Sequence, residues 1–148
     1  MDATDKKILK RLQQNARVTV SVLSQEISLS MPAVSERVKK LENTGVVKQY
    51  TAILDPALVD KHLMAFFYIS FDDPSHGDRF AQFISSEPDV KECFYITGDY
   101  DYALKIITKN TKSLEKLLTR IKNQDGIART ETIVALSTIT DRPTIELE

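Results

Sequence analysis

The chain has one cysteine, no tryptophan, two histidines and four glycines in 148 residues. Each scarcity removes a class of protein. With Cys93 alone, no internal disulfide can form, so the expected compartment is the cytoplasm. Cys93 itself sits in an apolar run and reads as an inert core residue. His62 and His76 have no cysteine or second histidine at ligand spacing, so both read as surface residues and no metal site is expected. The pair Asp72-Asp73 reads as a solvated loop. No P-loop, dinucleotide fingerprint or GxSxG elbow is present, nor a nucleophile beside a base, so neither an enzyme nor a cofactor is expected. No apolar run approaches a membrane span, and the first residues lack the layout of a signal peptide. An excess of one charge is also missing. The net charge of −1 argues against indiscriminate binding to polyanions.

What charge there is divides unevenly. Residues 1–55 hold nine Lys/Arg against six Asp/Glu, and the remainder holds eleven against fifteen. A basic head on an acidic body fits a nucleic-acid reader attached to something else. The excess is small, so several heads must act together and at least a dimer is expected.

The head reads as three helices. Asp2 and Asp5 have capping-box spacing ahead of a helix over residues 3–14, whose apolar stripe is Ile8, Leu9 and Leu12. Leu23 and Ile27 share one face of a second short helix. Ser30 stands at an N-cap position, Pro32 is tolerated in a first turn, and Val34, Val38 and Leu41 line one face of a third helix that Gly45 ends. These apolar residues are the expected core. The third helix then turns Met31, Pro32, Ser35, Glu36 and Lys39 outward. A short, polar, partly basic helix on a helical platform suits the DNA major groove. The alternative is the solvated surface of a protein-interaction domain. Residues 46–54, rich in β-branched side chains and followed by Asp55-Pro56, read as a strand: a wing, a linker, or an element that pairs with a second subunit.

From residue 63 the pattern alternates. Strands are expected at 63–71, 90–97, 102–108 and 128–140. Helices are expected around Phe80, Phe83 and Ile84, and around Leu114, Leu117, Leu118 and Ile121, the latter ended by Gly126. The order is β-α-β-β-α-β, a ferredoxin-like sandwich with two helices on one sheet face. Phe66 and Tyr68 place large groups on the other face, which favours its burial against a partner.

The stretches MDATDKKILKRLQQNAR, LSMPAVSERVKKLENTGVVKQYTAILDP and TGDYDYAL, in this order and spacing, make the chain resemble the Lrp/AsnC family of transcription regulators. The resemblance implies an α+β protein: a helix-turn-helix domain over 1–45, a linking β-strand over 46–62, and a βαββαβ oligomerisation and effector-binding domain over 63–148. It implies double-stranded DNA and a small amino acid as partners, and dimers that assemble further, often to octamers. The chain departs from the family pattern at Ser28, where the turn often carries glycine, and at Asn15, where aspartate is usual.

Two candidate sites follow. In the head, Ser35, Glu36 and Lys39 are placed to touch base edges, with Met31 and Pro32 against thymine methyl groups. Arg37, Lys40, Arg17 and Lys48 are candidates for phosphates. In the second domain, the turn Gly98, Asp99, Tyr100 and Asp101 is sufficiently explained as a hairpin at Gly98, but not at its two carboxylates and tyrosine. By resemblance these four residues help form an effector pocket between dimers, with Thr132 and Val134 facing it from a neighbouring subunit. Backbone N–H groups there suit an α-carboxylate, and a side-chain carboxylate suits an α-ammonium. The leading expectation is a sequence-specific regulator modulated by an amino acid. An architectural DNA-wrapping protein is the alternative, and a regulatory subunit of an amino-acid enzyme ranks third because it leaves residues 1–45 without a purpose.

Overall fold

A computed structural model describes residues 1–148. The chain divides into two units, Met1–Ile53 with Thr140–Glu148, and Leu54–Ile139. The expected boundaries differ: residues 140–148, expected to belong with the sandwich, pack with the helical unit.

In the helical unit, α1 spans Ala3–Gln14, α2 Val20–Ile27 and α3 Met31–Asn43. Each start is capped as its sequence dictates. The Asp2 carboxylate accepts the Asp5 N–H at 2.8 Å and the Asp5 carboxylate accepts the Asp2 N–H at 3.2 Å. Thr19 and Ser30 cap α2 and α3 through their hydroxyl oxygens. Such caps are worth about 1 kcal/mol each. Ile8, Leu9, Leu23, Val34 and Leu41 form the buried core, with Leu12, Ile27 and Val38 packed around it. All eight expected core residues are therefore in place. Ser28 ends α2 in the left-handed region at φ 59, ψ 43. A residue with a Cβ adopts here the conformation that glycine adopts freely, at a strain of roughly 1–2 kcal/mol.

No strand forms over 46–54; these residues hydrogen-bond to no other strand of the chain. Their composition favours extended backbone, but a strand exists only when a neighbour accepts its ladder. Ile53 and Leu54 are consequently 67% and 63% exposed. One anchor is Tyr50, whose hydroxyl donates to the Glu42 carboxylate at 2.9 Å. Burial together with that carboxylate pushes the phenol up to about 12.

The second unit is the expected sandwich. Strands β1 (Leu63–Phe71), β2 (Val90–Tyr95), β3 (Tyr102–Thr108) and β4 (Ile127–Ala135) form one antiparallel sheet in the order β2-β3-β1-β4. Helices α4 (Gly77–Ser85) and α5 (Thr111–Lys122) complete it. Ala65, Phe67 and Ile69 alternate inward from β1 and meet Leu104 and Ile106 of β3, and Phe80, Ile84, Leu114, Leu117 and Ile121 of the helices close over them. Each such large side chain contributes about 1.5–3 kcal/mol on burial. β4 stops at Ala135, short of the expected residue 140. Ala135 pairs with Met64, and β1 begins at Leu63, so the ladder runs out of partners.

Two polar contacts hold the edges. The Asp89 carboxylate accepts from the Lys61 ammonium at 2.5 Å and the Thr108 hydroxyl at 2.6 Å. Glu87, buried, takes a bidentate pair from the Arg120 guanidinium at 2.8 and 2.6 Å. Cys93 is exposed, contrary to the expected core position. It opens the apolar run Cys93 to Ile96, but β2 is an outer strand of the sheet and is paired on one side only.

Candidate DNA interface and effector site

On α3, the buried positions Val34 and Leu41 fix which face turns outward. Met31, Pro32, Glu36, Lys39 and Lys40 are exposed and Ser35 is half-buried. An open concavity on this face is lined by Pro32, Ala33, Ser35, Glu36, Arg37, Lys39 and Lys40, by Asp2 of the chain start, and by Asn43 and Thr44. The last two escaped the sequence reading. Asn43 extends the helical row of Glu36 and Lys39 by one more turn, a signal present in the spacing. Lys39, Lys40, Arg17 and Lys48 carry no ion-pair partner within the chain, so their charges are free for phosphates.

Arg37 differs from that set. Its guanidinium donates to both Asp2 and Asp5, at 2.7 Å each. The Arg37 hydrogen bond holds the Asp5 carboxyl below its usual range, and the Asp5 N–H followed by Arg37 does the same for Asp2. In the free protein Arg37 thus joins α3 to α1, while its side chain stays partly exposed on the concavity. A paired cation and an unpaired one look alike in sequence when the partner lies 35 residues away.

In the sandwich, the turn after β2 is pinned from three sides. The Asp101 N–H donates to the Ile69 carbonyl at 2.9 Å, and the Asp101 carboxylate accepts the Phe71 N–H at 2.8 Å, where the β1–β4 register shifts. The Arg129 guanidinium donates to the Asp99 carbonyl at 3.0 Å and lies 4.5 Å over the Tyr100 ring. Tyr100 packs in turn on Tyr68, ring centroids 5.6 Å apart. The Glu131 carboxylate beside the Tyr100 hydroxyl raises that phenol. Gly98 takes φ +119 with open space around it.

Two consequences follow for the expected residues. One oxygen of the Asp101 carboxylate is bonded to the backbone, whereas Asp99 keeps its side chain exposed. Thr132 and Val134 lie opposite Phe67 and Ala65, on the other face of β4 from Glu131. They are exposed, and this chain does not bring them to its own turn. Arg129, Glu131 and Tyr68 were missed. Charged residues two apart on a strand otherwise made of Ile, Val, Thr and Ala were the available signal.

A helical head with a free polar recognition helix, joined to a βαββαβ sandwich, defines a two-part DNA-binding regulator. Residues 1–48 match the winged helix-turn-helix DNA-binding model, and residues 64–145 match the Lrp/AsnC ligand binding domain. The chain belongs to the Lrp/AsnC family and is a DNA-binding transcription regulator rather than an enzyme. It is 36% identical over 143 residues to an uncharacterized HTH-type transcriptional regulator of Bacillus subtilis, covering 97% of this chain and 99% of that one. It is 33% identical to the HTH-type transcriptional regulator FL11 of Pyrococcus horikoshii, covering 93% of this chain and 91% of that one. Among solved structures, a transcriptional regulator of Neisseria meningitidis in complex with L-Met superimposes with a TM-score of 0.92 at 31% identity, covering 99% of this chain and 96% of that one. No helix is long and apolar enough to cross a membrane.

Proposed function

We propose that this regulator binds its operator as a dimer of heads and that a small amino acid held at the turn of residues 98–101 between dimers biases its further assembly, up to octamers, in the cytoplasm. The observation that carries the reading is the immobilised turn: Arg129 and Asp101 fix its backbone while Asp99 stays free. Exposed N–H groups of Gly98, Asp99 and Tyr100 suit an α-carboxylate, and the Asp99 carboxylate suits an α-ammonium. Thr132 and Val134 of a neighbouring subunit would complete the pocket. The complex of the Neisseria meningitidis relative with L-Met supports an amino acid as the ligand class.

The sheet's open face supports the dimer. Phe66, Phe94 and Ile133 are 36%, 51% and 47% exposed there, an apolar surface that a second sheet would cover. The unpaired residues 46–54 offer a second contact, a strand in need of a neighbour. On DNA, Met31, Pro32, Ser35, Glu36 and Lys39 meet base edges, while Lys40, Arg17 and Lys48 meet phosphates. Ligand binding changes how many heads reach DNA together, limited by its differential affinity for the assemblies.

Calorimetry with the twenty amino acids tests the sensor. One or a few should bind, and Asp99→Ala should abolish the signal. No heat with any of them removes the effector. Footprinting on genomic fragments tests the regulator: a short, roughly palindromic protected site is expected, and long periodic protection would favour DNA wrapping instead.

A further inference from the structure

Residues 140–148 leave the sandwich and lie along α1. The Gln13 side-chain amide reads the backbone of Ile145 twice: its Nε2 donates to the Ile145 carbonyl at 3.0 Å, and its Oε1 accepts the Ile145 N–H at 2.6 Å. The Lys6 ammonium donates to the Glu148 carbonyl. Between these contacts Leu147 packs on the core cluster of Ile8, Leu9, Leu23, Val34 and Leu41.

The spacing is matched. Lys6 and Gln13 are seven residues apart, two turns on one face of α1, with a rise of about 10 Å. Ile145 to Glu148, extended, covers about 10 Å as well. The segment therefore runs antiparallel to the helix in register with its polar row. Charge agrees: the segment carries Asp141, Glu146 and Glu148 against Arg142, and α1 carries Lys6, Lys7, Lys10 and Arg11 against Asp5. Gln13 is exposed and Leu147 is half-buried, so each contact is modest. A tethered segment needs no more, because the chain supplies it at high effective concentration.

We propose that residues 140–148 are a clasp that docks on α1 of the head and gives the head a second anchor, its release weakening DNA binding. The backbone crosses between the two units twice, at residues 53–54 and again at 139–140. A docked clasp closes the second crossing, and an undocked one leaves the head on a single connection. A head with more freedom loses more of it on binding DNA. The clasp continues directly from β4, the strand that carries Thr132 and Val134, so a pocket at that strand has a covalent route to the head.

Hydrogen exchange on the full chain reads the docking without DNA. The Ile145 amide should exchange at least about tenfold more slowly than in an unstructured peptide, and Gln13→Ala should abolish most of that protection. Free exchange of this amide in the unmutated protein overturns the clasp, whatever the protein does on DNA. DNA titration reads the consequence. Leu147→Asp, which leaves the sandwich untouched, should weaken operator binding about three- to tenfold. Unchanged affinity in a variant whose segment exchanges freely overturns the anchoring role, and loss of the sandwich's own protection in that variant would assign the effect to misfolding and equally overturn it.

Discussion

The Arg37 guanidinium donates to the Asp5 carboxylate at 2.7 Å and so joins the recognition helix to the first turn of α1. Asp5 is among the few buried polar residues of the chain, and Arg37 is its charge partner. The same guanidinium reaches Asp2, which with Asp5 forms the capping box of α1. One side chain therefore serves a helix cap, a buried carboxylate and the tilt of α3.

Arg37 and Lys40 should separate cleanly in a salt titration. Each lost phosphate contact reduces the slope of log K against log salt by about 1. Lys40→Ala should reduce it by that amount and weaken binding to all sequences, whereas Lys39→Ala, at a base edge, should relax base preference. Arg37→Ala should leave the slope unchanged and lower the melting temperature of the head, because Asp5 loses its partner. A reduced slope for Arg37→Ala with unchanged melting would place Arg37 against a phosphate instead.

Most of the fold was legible because its signals are local. Capping residues, helical spacing in α1 to α3 and strict alternation in β1 each act within a few residues, and all eight core positions of the head follow from them. What stayed hidden depended on partners distant in sequence. The extended composition of 46–54 does not say whether another strand accepts its ladder. The apolar run around Cys93 does not say that its strand lies at a sheet edge. The bond from the Phe71 N–H to the Asp101 carboxylate spans 30 residues, and no local pattern reports it. The docking of residues 140–148 rests on Gln13, 132 residues away from Ile145, and no periodicity reports such a contact.

The Asp89 carboxylate should make the sandwich acid-sensitive. Burial alone would raise its pKa, but the Lys61 ammonium and the Thr108 hydroxyl outweigh burial and hold it below the ordinary 3.8. A carboxyl depressed in the folded state contributes stability that is complete above its unfolded value and is lost as pH falls through the folded value. Melting temperature should hold from neutral pH to about 5 and fall below about 4. Asp89→Asn should melt lower at neutral pH and show a shallower acid decline. Parallel curves for the two proteins would assign the decline to other carboxylates.

Gly126 and His76 should be coupled. Gly126 ends the segment after α5 at φ +80, and a Cβ there would run into the His76 ring, which stacks on Phe71 with centroids 6.1 Å apart. The Gly126 carbonyl also accepts the Asp72 N–H at 2.9 Å, so the backbone cannot move away without breaking that bond. Gly126→Ala carries two penalties, a left-handed alanine at roughly 1–2 kcal/mol and the overlap at about 1–3 kcal/mol. In a His76→Ala background only the first should remain, so the cost of the same substitution should fall by about 1 kcal/mol or more. Denaturant unfolding of the four proteins measures both terms, and strictly additive costs would mean that the ring yields to the methyl group without strain.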